Sequence, residues 1–239
     1  MTENTKQVEK FYDESYKHKE MRRHYPNEQL VRFIFREYGK IEIEDRKNIK
    51  ILEIGCGNAN NTWYLCNEGF DVYSIDISEV GIELAKMTLQ KWNKHATIIK
   101  TDMLELDFED NFFDTVVDIF SSNCLTMKEF DIYINKIYKI LKPNGVYYSY
   151  TPSKKSDAFI NYLPARKIDE CTLNGIYRST SPFFGNFYSF RFEDPKELKE
   201  NLEKYGFHTY FLEVYGQTYF NMTEYFEFVT IACKKENVN

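Results

Sequence analysis

The chain has 239 residues, 43% of them hydrophobic and 28% charged, and a formal net charge of −6. That length suits one domain with a sizeable core, and the acidic balance counts against a general nucleic-acid binder, which needs a basic footprint. Cys56, Cys66, Cys124, Cys171 and Cys233 are scattered without a CxxC pair, so neither a disulfide framework nor a zinc site is expected. With no signal-peptide pattern and no apolar run near the ~18 residues of a membrane span, a soluble cytoplasmic protein is the expectation.

Residues 3–20 set Val8, Phe11, Tyr12 and Tyr16 at roughly helical spacing, which predicts a short amphipathic helix. A basic stretch follows, in which Arg22, Arg23, His24 and Tyr25 precede Pro26. The proline disfavours helix at Tyr25. Asn27 then opens a helix whose apolar face is Leu30, Val31, Phe33, Ile34 and Tyr38, closed by Gly39. From residue 49 short apolar runs at 49–54, 70–76, 96–100, 113–120 and 145–150 alternate with helical segments at 60–68, 78–92 and 128–141. Such alternation predicts βαβ units, hence an α/β fold with a mostly parallel sheet and helices on both faces. Lys142-Pro143-Asn144-Gly145 is a turn by composition.

After Tyr150 the rhythm breaks. Residues 151–192 scatter Pro152, Pro164, Pro182, Gly175 and Gly185 among aromatics, as expected of a lid or binding loop. A helix at 194–205, with Pro195 in its first turn and Gly206 after it, precedes strands at 207–214 and 225–233. One domain is predicted: an N-terminal helical cap over 1–45, a ligand-binding core over 46–150, a lid over 151–192, and a C-terminal helix and strand hairpin over 193–239.

The informative stretch is Gly55-Cys56-Gly57, between a strand and a helix start. Backbone N–H groups and a helix dipole converge there, and glycine lets the main chain approach a ligand. Two glycines also serve a plain strand–helix turn. A dinucleotide fingerprint wants Gly or Ala in the sixth position, where Asn60 stands. A P-loop is ruled out, since no Gly-Lys-Ser/Thr follows. Acids at later strand ends add weight. Asp76 lies 21 residues past Gly55, Asp102-Met103 follows the third strand, and the fourth runs into Ser121-Ser122-Asn123. In open parallel sheets, ligands bind beyond these carboxyl ends.

Over residues 49–150 the chain resembles the class I S-adenosylmethionine-dependent methyltransferase family. The elements ILEIGCGNA, VYSIDIS, KTDMLEL, FDTVVDI and KILKPNGVYYSY carry the resemblance, in that order. It implies S-adenosylmethionine as cofactor and a seven-stranded Rossmann-like mixed sheet with an antiparallel last strand. It also implies roles. Glu53, Gly55, Cys56 and Gly57 would line the methionine end, and Asp76 would hold the ribose with Ile77 against adenine. Asp102 and Met103 would meet adenine, and Ile119 would lie near the transferable methyl. The helix at 27–39 would cover the cofactor side. Ala59 stands where the family has its third glycine, a change of one methyl.

Methyl transfer is an in-line displacement on an activated electrophile, so the protein mainly aligns the nucleophile and excludes water. An oxygen nucleophile gains from a general base, most often His. His95 and His208 fall in predicted strands and His18 in a polar helix. That leaves His24 as the candidate base, beside Tyr25 and beside Arg23, which could meet the methionine carboxylate or an anionic substrate. In the lid, Arg166, Lys167, Arg178 and Arg191 interleave with Tyr162, Tyr177, Phe183, Phe184, Phe187 and Tyr188. That mixture suits an anionic or sugar-like ligand, or equally a packed lid. Tyr25, Arg166, Arg178 and Tyr188 are the candidate substrate contacts. Ser181-Pro182-Phe183-Phe184 has one of the two prolines of the box found in amine-directed methyltransferases, and it follows the wrong strand. Asp118 is a lone acid, so no metal site is expected. The reading is a small-molecule methyltransferase acting on an oxygen, without nucleic-acid or membrane partners. Transfer to nitrogen and non-catalytic cofactor binding are the alternatives.

Overall fold

The computed structural model describes residues 1–18 and 24–236. Its central sheet has seven strands: β1 (Lys50–Ile54), β2 (Asp71–Asp76), β3 (Thr97–Lys100), β4 (Phe113–Ile119), β5 (Leu141–Pro152), β8 (Phe207–Tyr219) and β9 (Glu224–Lys235). Their order is β3-β2-β1-β4-β5-β9-β8. The first five are parallel, and β9 runs antiparallel between β5 and β8. The inner strands are buried on both faces, which is why Ile51, Leu52, Ile54, Val116 and Val117 form near-continuous apolar runs. Strand order reverses between β1 and β4, and the carboxyl ends there open a crevice.

The helices are α1 (Glu3–Ser15), α2 (Glu28–Tyr38), α3 (Asn60–Asn67), α4 (Glu79–Lys91), α5 (Met127–Ile140), the single turn α6 (Asp157–Ile160) and α7 (Pro195–Lys204). Their starts follow from side-chain caps. Asn27 accepts from the Gln29 and Leu30 amides, and Ser78 from Gly81. Thr126 and Glu129 form a reciprocal box, and Asp194 caps α7 ahead of Pro195. Each such cap is worth about 1 kcal/mol.

Three expectations change. α2 stacks Phe33 on Tyr148 with centroids 4.1 Å apart and receives the Tyr148 hydroxyl on the Gln29 carbonyl at 3.0 Å. It therefore covers the sheet at β4 and β5, and the helix over the ligand side is α1. α1 is docked by Thr2 Oγ1 and Asn4 Nδ2, which donate to the Glu129 carboxylate at 2.8 and 2.9 Å. Second, 142–145 is an irregularity inside β5, with Asn144 at φ 62° and the register to β4 slipping between Phe113 and Thr115. Third, the C-terminal hairpin is longer than expected. Much of β8 lies exposed at the sheet edge, so its outer half carries no alternating apolar signal.

The segment after β5 holds α6 and the two-stranded pair β6 (Thr172–Leu173) and β7 (Phe190–Arg191). Arg191 fastens it to the core. Fully buried, it donates to Glu193 at 2.6 Å and to Ser122 Oγ and the Leu125 carbonyl at 3.3 Å, and lies 3.8 Å over the Phe130 ring.

Candidate functional site

The turn after β1 is left-handed at alternate residues, with Gly55 at φ 68°, Gly57 at 53° and Ala59 at 62°. A Cβ on Gly55 would strike the Ser121 hydroxyl, and one on Gly57 the Tyr16 hydroxyl. Both positions thus need glycine for conformation, and Gly55 also for space, since the Tyr16 hydroxyl can shift with its side chain. Ala59 bears about 1–2 kcal/mol of left-handed strain. Its methyl is fully buried with Cys56 and Ala85, which offsets part of that.

Glu53 does not face the crevice. Its buried carboxylate accepts from Asn61 Nδ2 at 3.0 Å and Thr62 Oγ1 at 2.5 Å, bracing the start of α3 from behind. Asn61 Oδ1 in turn accepts the Asn27 amide at 2.8 Å. Burial pushes the Glu53 pKa up to about 7, against the pull of those hydrogen bonds.

Asp76 spends one oxygen on the Gly57 amide at 2.7 Å and the other on the Ser78 amide at 2.8 Å. Asp102 accepts the Leu104 amide at 2.9 Å through Oδ1, while Oδ2 is buried without a hydrogen-bond partner among the described residues. Burial raises both carboxyls above the usual range. Together with Gly55, Cys56, Gly57, Ile77, Met103 and Ile119 they line one cavity of about 360 Å³. Cys56 is no nucleophile there, since burial and then the nearby Asp76 and Glu53 carboxylates hold its thiol protonated.

α1 roofs this cavity with Thr5, Val8, Phe11 and Tyr12, and Tyr16 follows at its end. Sequence periodicity found the helix, but periodicity does not say what a face packs on. The far wall is aromatic. Phe120 sits at φ 58°, unusual for a bulky residue. The turn after it is held by Asp118, which accepts the Ser121 and Ser122 amides at 3.1 Å and the Tyr147 hydroxyl at 3.0 Å. The Phe120 ring meets Tyr150 and Phe183 at 4.9 and 5.4 Å. Tyr188 is buried and shares a 2.9 Å hydrogen bond with the Tyr12 hydroxyl. Pro182 and Phe184, from the proline box discounted above, line this wall too.

The cations expected at the site are elsewhere. Among the described lining residues none is Lys, Arg or His. Arg178 pairs with buried Glu224 at 2.5 Å, Arg166 is exposed, and Lys167 lies 4.8 Å over the Phe159 ring. Interleaved charge in this segment serves the packing of the lid. His24 and Tyr25 are exposed and outside the lining; they contribute backbone carbonyls to Trp63 Nε1 at 3.3 Å and Asn60 Nδ2 at 3.0 Å. A base role for His24 and a substrate contact for Tyr25, Arg166 or Arg178 thus find no support in the geometry. Arg23 lies outside the described residues.

Residues 51–145 match the family model described as a methyltransferase domain. The eEF1A lysine and N-terminal methyltransferase of Mus musculus is 31% identical over 106 residues, 41% of this chain and 15% of that protein. The ubiquinone biosynthesis O-methyltransferase of Pelagibacter ubique is 31% identical over 123 residues, 51% of this chain and 50% of that one. The chain thus spans half or less of these relatives. Among solved structures, a SAM-dependent methyltransferase from Methanosarcina mazei superposes with a TM-score of 0.64 at 24% identity, over 79% of this chain and 93% of that one. That likeness is one of fold.

Proposed function

We propose that this chain is a class I S-adenosylmethionine-dependent methyltransferase that methylates a small molecule, at an oxygen, in the strand-end cavity; the match of residues 51–145 to a methyltransferase domain supports the reading. One observation carries the reading: buried acids and left-handed glycines at one end of the cavity, an aromatic wall without described cations at the other.

The residues fit the cofactor. The glycine turn at Gly55–Gly57 lets the main chain approach the methionine end of the cofactor, and the spare lone pairs of Asp76 take ribose hydroxyls. The Asp102 carboxylate, one of whose oxygens has no hydrogen-bond partner among the described residues, takes the adenine amine, and Ile77 and Met103 pack on the ring. When bound, the cofactor supplies a methyl on a cationic sulfur that accepts the electron pair of the breaking C–S bond. Ile119 and Phe120 flank the acceptor, while α1 and residues 182–188 shut water out. With no described histidine at the cavity, a neutral acceptor whose hydroxyl sheds its proton to solvent as the new bond to carbon forms, such as a phenol, needs least help.

The aromatic wall turns the expected anionic or sugar-like acceptor toward an uncharged one. The O-methyltransferase among the relatives favours oxygen, and the net charge of −6 disfavours nucleic acid. All five cysteines are free, as suits a reducing cytoplasm. The test is calorimetric titration with S-adenosylhomocysteine, followed by labelled-methyl transfer to phenols, lactams, amines, carboxylates, tRNA and protein. Binding with transfer to phenols is expected. Transfer to tRNA or protein instead would overturn the small-molecule reading, and binding without any transfer would favour a non-catalytic role.

A further inference from the structure

Asn123 lies in the single 3₁₀ turn Ser122–Cys124 that follows β4. It lines the cavity, is only 3% exposed, and its Oδ1 is buried without a hydrogen-bond partner among the described residues. Its neighbours are fully engaged. Asp118 holds the Ser121 and Ser122 amides, Arg191 reaches Ser122 Oγ and the Leu125 carbonyl, and Asn4 donates to the Cys124 carbonyl at 2.9 Å. The turn is fixed without help from the Asn123 side chain. A buried, unmet amide oxygen is destabilising, and an apolar residue of similar size would avoid that cost. The cost is offset when a group held in the cavity meets the amide, and an acceptor with a polar edge can do so in place of water.

The surroundings say what kind of ligand. Phe120, Phe183 and Tyr188 line the same cavity, and flat rings stack or meet edge to face with such side chains. We infer that Asn123 is a specificity-determining residue whose side-chain amide hydrogen-bonds the polar edge of a planar, uncharged aromatic acceptor held among Phe120, Phe183 and Tyr188. A site that hydrogen-bonds a ligand N–H or O–H strongly rejects the analogue lacking it, because the buried amide is then left unpaired. This inference rests on the methyltransferase reading above.

The experiment uses the full chain saturated with S-adenosylhomocysteine, titrated calorimetrically with 2-quinolone, quinoline and quinoline-2-carboxylate. The three share their rings; the first presents a lactam N–H and C=O, the second no donor, the third an anion. The wild type is expected to bind 2-quinolone at least about tenfold tighter than the other two. Asn123→Leu should leave S-adenosylhomocysteine affinity within about twofold, keep or raise Tm, and abolish the preference for 2-quinolone. Asn123→Ala gives the same readout if leucine overpacks the turn. A preference that survives both variants overturns the inference. So does tightest binding of the carboxylate, binding of none of the three, or loss of S-adenosylhomocysteine binding in both variants, which would assign the amide to the cofactor. Failure of the wild type to bind S-adenosylhomocysteine in the first titration would instead sink the underlying methyltransferase reading.

Discussion

The Asp76 carboxylate accepts the Gly57 amide at 2.7 Å, tying the acid that ends β2 to the glycine turn that follows β1. One side chain thus sets the distance between two walls of the cavity. Asp76→Asn keeps the size but turns an NH2 group toward the Gly57 or Ser78 amide. It should cost about 1–3 kcal/mol of stability and weaken S-adenosylhomocysteine binding by roughly ten- to a hundredfold, read by thermal unfolding and calorimetry. Unchanged affinity would remove Asp76 from the cofactor site.

Glu53 makes stability depend on pH in the direction opposite to a salt-bridged acid. Its folded pKa of about 7 lies above the ordinary 4.5. Its contribution is therefore complete below pH 4.5 and fades as pH rises through about 7, by up to about 3 kcal/mol over that span. Glu53→Gln should flatten this part of the curve and raise stability at pH 8. The Thr62 hydroxyl can accept from the new amide while turning its own proton to Ser74 Oγ, 3.0 Å away. Denaturant titrations of the unliganded protein between pH 4.5 and 8 would show it, and parallel curves for the two proteins would refute it.

α1 is latched near its end by Asp13, whose Oδ1 accepts the Ser78 hydroxyl at 2.5 Å and the Val80 amide at 3.4 Å. Asp13→Ala should speed S-adenosylhomocysteine dissociation about tenfold, since a charge-assisted bond of about 1.5 kcal/mol or more is lost from the closed roof. The unfolding midpoint of the core should barely move. Stopped-flow displacement measures the first, and equal dissociation rates would show that the roof does not gate the site.

Arg178 and Arg166, alike in sequence, should behave differently. Arg178→Ala takes the cation from the Glu224 carboxylate, which is fully buried and whose Oε1 has no hydrogen-bond partner among the described residues. A loss of about 2–4 kcal/mol is expected, the Thr180 hydroxyl bond at 2.6 Å remaining. Arg166→Ala, at an exposed site, should change stability and turnover by less than twofold or about 0.5 kcal/mol. A large loss of turnover in the Arg166 variant with unchanged stability would restore it to the substrate site.

Much of this was readable from residues alone because the signals are local. Asn27, Ser78 and Asp194 stand where the predicted helices start and cap them, and short β-branched runs between helical periods announce a parallel sheet. Gly55 and Gly57 mark the ligand end because left-handed geometry demands glycine at both, and at Gly55 a close neighbour demands it too. What stayed hidden depends on partners far along the chain. Glu53 looks like a lining acid until Asn61 and Thr62 turn it inward. Arg178 and Arg191 look like ligand-binding cations until Glu224 and Glu193 claim them. Asn123 looks like ordinary loop polarity, and only its unmet burial singles it out. Ala59 is the intermediate case. The sequence shows it only as one methyl more than glycine, whereas the cost lies in its left-handed backbone and the buried methyl works in its favour.

The two ends of the cavity come from different parts of the chain. The cofactor end is assembled from the tips of β1 to β3, where moving one residue disturbs the sheet. Much of the aromatic wall comes from residues 182–190, a stretch outside the central sheet that hangs on its own anchor at Arg191. On the proposed reading, substitutions in the wall can therefore change the acceptor while the strand-end turn that would hold the methyl donor stays as it is.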